Sequence, residues 1–463
     1  MRVETPSEVL QFGGGLFCCL RGKIAQSRVE YRGSVMMNVQ FLRTGCVVSL
    51  IAWIGVAEVS FAFDLKAPFE LENALTLPRG VRNPRFRMIT FGVEDRFNDL
   101  GVPNPLAQRL NKTVTWGDLI NAQKTDADKA SIQGVLADAG SGISDPSLTG
   151  SPGSTTGEIN TFAQINLPIF AIGITEKFTA AVAVPVIRVD VSAATGFAKT
   201  EDGQKFIDAA CATNPEKCNE AAERLNNAVN QKLATNGYQP IQSETVSSVG
   251  DIRLIGKYRA YSDEKQSLAI RSEVGLPTGT VPNADKAVDV ATGDGQWDVG
   301  LGLIYDLNFA QDLRWNVFGS YVAQLPDRLD RRLPVALGDT ISPTKERLDR
   351  DLGDIISTGS ALTYTWPRLG MNLGAGYGFQ YITPTRYKDG VLASSEIYRF
   401  LEAEAPLQAL HSATLAAGFS TVEWFKQKEF ALPFQANVTW SLPLAGRNVT
   451  NNSTLTGELV LFF

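Results

Sequence analysis

Histidine is almost missing from this chain: His411 is the one copy in 463 residues. A metal site built on imidazoles therefore has a single candidate ligand, and a histidine-dependent base has a single place to sit. Cysteine is also scarce, with five copies, none at CxxC spacing, which excludes the usual thiolate zinc and redox motifs. Positive charge has no excess, since 43 Lys+Arg face 49 Asp+Glu and the net charge is -6. That balance excludes a nucleic-acid partner. Beyond residue 62 no apolar run reaches the roughly 18 residues a spanning helix needs, so helices cannot carry the chain through a bilayer. Neither a metal nor a cofactor is expected.

What is present begins with a leader. From Met37 a short polar start with Arg43 runs into the apolar stretch Cys46 to Val56 and then Ser60-Phe61-Ala62, with small residues at the cleavage positions before Phe63. Residues 37–62 read as a secretory signal, and residues 1–36, which show no periodicity, as a misplaced start or disordered extension. Cys46 opens the apolar run instead of closing it, and Arg43 stands where a lipoprotein signal has leucine, so lipidation is not expected. Cleavage leaves Cys211 and Cys218 in an oxidising compartment. In one unbroken helix their Cα atoms stand about 10.5 Å apart, beyond the reach of roughly 7 Å for a disulfide. Asn214-Pro215, a helix-start pair, offers a turn that would bring the sulfurs together, and both states stay open.

A secreted chain that spans a membrane without apolar helices does so as a closed barrel. The patterning agrees: Leu268, Ile270, Ser272, Val274 and Leu276 alternate with Ala269, Arg271, Glu273 and Gly275. An arginine facing lipid near mid-bilayer costs about 2–4 kcal/mol, which turns Arg271 and Glu273 inward. Trp297 to Leu307 repeats the pattern, and so does Phe430 to Leu442. Trp297, Trp315, Trp366 and Trp440 fall toward segment ends, where interfacial girdles stand. Candidate strands begin near Phe86, Glu158, Phe178, Val249, Gln266, Gln296, Leu313, Gly353, Leu369, Ala409, Lys428 and Ser453. The expected fold is all-β, one transmembrane antiparallel barrel of about 12 strands (10–14) over residues 86–463.

Short connections at Ile174 to Lys177, Tyr261 to Lys265, Asn308 to Asp312, Trp366 to Arg368 and Phe425 to Gln427 alternate with long ones, matching periplasmic turns and outer loops. Cys218, Ala222, Leu225, Val229 and Leu233, and more weakly Ile132 with Leu136, give the outer loops helical content. Residues 63–85, with Pro68, Pro78 and Pro84, form either a plug in the lumen or a periplasmic tail. The end of the chain alternates through Leu459 and Leu461 to Phe463, which resembles the signal read by the outer-membrane insertion machinery. The expected location is the outer membrane of a Gram-negative bacterium.

Inward-facing charge marks the candidate solute path. With Ile252, Leu254, Tyr258 and Ala260 on lipid, Arg253, Lys257 and Arg259 face the lumen beside Arg271 and Glu273. This is either a constriction that attracts polar solutes or a salt-bridged interior. The stretch Asp327 to Asp354 mixes Arg328, Arg331, Arg332, Arg347 and Arg350 with Asp327, Asp330, Asp349 and Asp351, a hydrated surface or a lipopolysaccharide-phosphate contact. An outer-membrane lipid hydrolase is the catalytic alternative, but the position after His411-Ser412 that such an enzyme fills with serine is Ala413. Glu402 and Glu404 need no catalytic role, and the chain reads as a non-enzyme.

Gly250-Asp251-Ile252-Arg253-Leu254-Ile255-Gly256-Lys257-Tyr258-Arg259, followed by Leu276-Pro277-Thr278-Gly279, resembles the outer-membrane family associated with the meta-pathway of phenol degradation. Gly173-Ile174-Thr175-Glu176 and Val184-Pro185-Val186 are similar to further motifs of that family. In outlook the family is similar to FadL-type channels, although the Asn-Pro-Ala that usually starts those fatty-acid channels is missing here and the first two outer loops are longer. The resemblance implies a barrel from about Glu158 to Phe463 that takes up small, aromatic or hydrophobic solutes. Its alternative is a structural or surface-binding barrel with an occluded lumen.

Overall fold

The computed structural model describes residues 60–62, 73–121, 126–138, 142–213, 223, 227–310, 312–337 and 341–463. Residues 1–59 lie outside them. Ser60–Ala62, placed at the end of the expected leader, pair in parallel with Asp289–Ala291. Of the candidate disulfide, Cys218 lies outside the described residues.

Twelve strands among the described residues form the wall. They are β1 Arg82–Val93, β2 Gly153–Thr175, β3 Phe178–Ala183 continued by Val186–Lys199, and β4 Glu244–Val249 continued by Ile252–Ser262. Then come β5 Gln266–Leu276, β6 Asp298–Ala310, β7 Leu313–Gln324 and β8 Ile355–Trp366. The last four are β9 Met371–Ile382, β10 Gln408–Ser420, β11 Phe434–Arg447 and β12 Thr454–Leu461. Each pairs antiparallel with its neighbour in sequence. β1 meets β2 from Arg82↔Ile172 to Val93↔Thr161 and β12 from Arg85↔Val460 to Thr90↔Leu455, which closes the ring. Closure leaves no unpaired edge, as lipid requires.

The alternation resolves as the charge argument demands. On β6, Val299, Leu301 and Leu303 are exposed, while Asp298, Gly300, Gly302, Ile304 and Asp306 are buried inside. On β5, Ser267 and Ala269 are buried and Ile270 is exposed. A closed barrel whose exposed belt is apolar is the architecture of outer-membrane proteins.

The sequence reading misplaces several strand starts: β2 begins at Gly153, not near Glu158, and β4 at Glu244, not near Val249. β11 starts at Phe434, not near Lys428, because Pro433 has no amide to extend the ladder. The expected short turn at Phe425 to Gln427 is instead a longer connection containing the helix Val422–Lys426. Trp440 accordingly stands in the middle of its strand rather than toward an end.

The turn between β4 and β5 shows how register is pinned. Asp263 accepts from the Lys265 and Gln266 amides, each at 2.8 Å, and from the Tyr261 hydroxyl at 2.6 Å. The Tyr261 hydroxyl first, and then the two amides, hold the Asp263 carboxyl down at about 2. The folded value lies below the ordinary value of about 3.9, so its contribution is complete above that pH and disappears as pH falls through about 2. A carboxyl-carbon NMR titration of the folded barrel is expected to find Asp263 still ionised at pH 3.

Helices occupy the outer segments: α1 Trp116–Asn121, α2 Asp126–Asp138, α3 Glu201–Thr213, α4 Ala228–Thr235 and α5 Ser395–Glu404. Val229 and Leu233 of α4 pack with Tyr238, Ile241 and Val290 over Val93, Ile187 and Val189 at the barrel mouth. Arg332 ties this cap together. Its guanidinium donates to the carbonyls of Asn236 and Gly237 at 2.9 Å and of Pro343 at 3.0 Å, and lies 4.5 Å from the Tyr238 ring. Arg350 pairs with Asp327 through two nitrogens at 3.0 and 2.8 Å, and Arg328 pairs with Asp349. These charges of the outer hairpin serve one another.

Candidate functional site

The lumen holds a chamber of about 160 Å³. Its apolar side includes Ile89 of β1, Ile165 and Leu167 of β2, Ile304 of β6, and Phe318 and Val322 of β7. Ionic groups stand on β1, β4 and β5: Arg87, Asp251, Arg253, Arg271 and Glu273. Arg87, Arg253, Arg271 and Glu273 occupy inward positions of their strands, so two-residue periodicity delivers these side chains to the chamber, while Asp251 sits at the interruption of β4.

Glu273 organises the polar wall. Arg271 Nη2 lies 2.9 Å from Glu273 Oε2, and Arg253 Nη1 lies 3.7 Å from Oε1. Room for these long side chains comes from the next strand, where Gly302 opposes Arg271 and Gly300 opposes Glu273. A Cβ at Gly300 would meet Glu273 Cγ at 2.5 Å, a close approach that only glycine permits.

Of the five path residues read from sequence, the structure brings Arg253, Arg271 and Glu273 together. Lys257 reaches elsewhere, donating to the Asn73 carbonyl at 3.1 Å. Arg259 donates to the Glu176 carbonyl at 2.8 Å, in the turn between β2 and β3. Asn73 belongs to a segment that the sequence reading left open between plug and tail. Residues 73–80 pack on the inner wall near the short-turn end, with Ala74 fully buried against Ala269 and Ile304, with Phe318 packed alongside. The Ala74 amide donates to Asp306 Oδ2 at 2.9 Å and the Leu77 amide to Thr179 Oγ1 at 2.8 Å.

The resembling motifs converge on one corner of the wall. Pro185 interrupts β3 and Gly250-Asp251 interrupts β4 at the same level, where the Gly250 amide donates to the Pro185 carbonyl at 2.9 Å. Thr278 Oγ1 accepts from the Ile252 amide at 3.0 Å and lies 2.8 Å from the Gly250 carbonyl, to which it donates. Asp251 then accepts the Gly279 amide at 2.8 Å. The paired motifs are a joint: they hold two interrupted strands and the following loop beside the chamber.

The Arg87–Glu458 pair across β1 and β12, 2.8 Å apart and nearly buried, was missed from sequence. Its signal was there, since Arg87 sits between the outward residues Phe86 and Met88, and closing a barrel pairs its first strand with its last. His411 has the opposite fate. It lies on the outer side with its Nδ1 2.5 Å from the Tyr377 hydroxyl, while Ser412 is buried and borders the chamber. Neighbouring residues in sequence thus face opposite sides of the wall.

No family model matches the chain, and no curated protein matches it. Among solved structures it is similar to an outer membrane channel from Pseudomonas putida F1, at 12% identity over 85% of this chain and 100% of that one, with a TM-score of 0.47. The Pseudomonas putida toluene transporter TodX aligns at 10% identity over 89% of this chain and 96% of its own, TM-score 0.29. The translocator domain of the autotransporter NalP from Neisseria meningitidis aligns at 9% identity over 84% and 90%, TM-score 0.31. Channels of the expected kind and an autotransporter barrel stand side by side at these scores, so the functional reading rests on the lumen.

Proposed function

We propose that the protein is an outer-membrane channel for small apolar solutes, single aromatic rings among them. The chamber carries this reading. An apolar cavity of about 150 Å³ binds benzene, and the space here is about 160 Å³ with an aliphatic and aromatic side. The ionic wall, where Arg253 and Arg271 converge on Glu273, gives the chamber a polar side that a ring bearing a polar group can face.

Uptake into proteoliposomes containing the purified barrel tests the reading, with toluene, phenol and benzoate compared against sugars. Faster entry of the aromatic compounds than of equal-sized sugars is expected. Ser320→Phe places a ring in the chamber and should cut aromatic uptake at least about tenfold, the equivalent of roughly 1.4 kcal/mol. Unchanged uptake in that variant would place the route elsewhere. The second reading, an occluded structural barrel, draws on the segment 73–80 at the short-turn end; it predicts no solute entry at all.

A further inference from the structure

The connection between β10 and β11 stands apart from the other periplasmic turns. It runs from Thr421 to Pro433 and contains α6 Val422–Lys426, whereas β2–β3, β4–β5 and β6–β7 are joined by tight turns. Those turns carry charge, as in Glu176-Lys177 and Asp263-Glu264-Lys265. This one is also charged, with Glu423, Lys426, Lys428 and Glu429, but it adds rings that the others lack. Phe419 and Phe434, outward on the last rungs of β10 and β11, stand 5.9 Å apart, and Trp424 and Phe430 continue from them below the strand ends. The centroid steps are 5.5 Å from Phe419 to Trp424, 6.4 Å on to Phe430 and 6.1 Å back to Phe434.

The connection is built rather than slack. Thr421 Oγ1 accepts the Phe434 amide at 3.0 Å and donates to the Leu432 carbonyl at 2.6 Å. The Glu429 amide closes onto the Trp424 carbonyl at 2.8 Å, and Lys428 takes the left-handed conformation at φ 62° to reverse the chain. With the backbone so held, Phe425 and Phe430 are each 43% exposed and Leu432 is 40% exposed. Lys426 and Lys428 lie between them in sequence. The neighbouring turn adds to this face: Leu369 is 57% exposed, and Tyr364 and Trp366 meet edge to face at 4.5 Å. Gly370 fits beneath it, where a Cβ would come within 2.5 Å of the Ser420 carbonyl.

A fixed apolar and aromatic surface with flanking lysines, continuous with the lipid-facing wall, matches the chemistry of the headgroup–acyl boundary. We propose that residues 421–433 form an interfacial anchor, seated in the phospholipid of the periplasmic leaflet on one side of the barrel. Phe425, Phe430 and Leu432 enter the acyl region and Lys428 meets the phosphates, while Lys426 pairs with Glu423 at 2.7 Å. The anchor fixes the depth and tilt of the barrel on the β8–β11 side, while the charged turns on the β2–β5 side stay in water. It does not depend on which solute the lumen carries.

The test uses the full mature chain, with Cys211 and Cys218 replaced by serine, in vesicles of phosphatidylethanolamine and phosphatidylglycerol. Single cysteines at 425, 430, 432, 427 and 429 carry a nitroxide, and the heat-dependent shift in electrophoretic mobility selects folded samples. Labels at 425, 430 and 432 should be reached by oxygen and shielded from a water-soluble nickel chelate, at about 5–10 Å into the boundary. Labels at 427 and 429 should show the reverse. Equal access of the nickel chelate to all five positions would overturn the anchor.

Discussion

Glu458→Ala should lower the unfolding free energy of the barrel by about 3–5 kcal/mol, the scale of removing one partner from a buried ion pair. The pair lies on the closing seam, where Arg87 and Glu458 face each other directly in register. Both side chains are close to fully buried, at 8% and 13% exposure, so solvent screening takes little from the interaction. Asn437 of β11 also donates to the Glu458 carboxylate at 3.2 Å, which extends the staple over three strands. Alanine would leave the Arg87 guanidinium in the wall without its carboxylate. Arg87→Met with Glu458→Met should recover much of the loss, because an apolar pair of similar volume leaves no orphaned charge. Urea unfolding in lipid, followed by heat-dependent gel mobility, measures all three. A Glu458→Ala barrel as stable as its parent would show that strand pairing alone holds the seam.

Residue alternation made the wall legible because an inward arginine and an outward leucine cannot exchange faces at tolerable cost. All twelve strands are anticipated from that rule, and Arg253, Arg271 and Glu273 line the chamber. Lys257 and Arg259 face inward too, yet depth along the strand sends one to Asn73 and the other to Glu176. Alternation fixes which face a residue takes; it is silent on what lies opposite at each level. The β10–β11 connection escaped for a related reason. Phe430 and Leu432 alternate like strand residues, but they serve an aromatic surface outside the ladder, and only Pro433 marks where pairing begins. The Gly250-Asp251 and Thr278-Gly279 motifs were visible as a resemblance, whereas their work as a strand joint depends on contacts 28 residues apart in sequence.

Asp306→Ala combined with Ala74→Trp should raise the ion conductance of the barrel and speed the entry of small sugars relative to the parent. The expectation rests on residues 73–80 acting as a seal at the periplasmic end of the lumen. Asp306 accepts the Ala74 amide, and its other oxygen accepts Asn316 Nδ2 at 2.7 Å, so the carboxylate fastens the segment to β6 and β7. Its removal leaves the buried Ala74 amide without that acceptor, a cost of about 1–3 kcal/mol. Ala74 is wholly enclosed by Ala269, Ile304 and Phe318, so an indole there overfills the site by about 1–3 kcal/mol more. Together the two changes disfavour the seated segment by roughly 3 kcal/mol, which is about a hundredfold in the ratio of open to closed barrels. Single-channel recording reads that ratio as open time, and liposome swelling in arabinose reads it as bulk flow. Conductance that stays at the parental level would mean that the segment lines the lumen without sealing it, and that the narrow part of the path is the chamber beside Glu273.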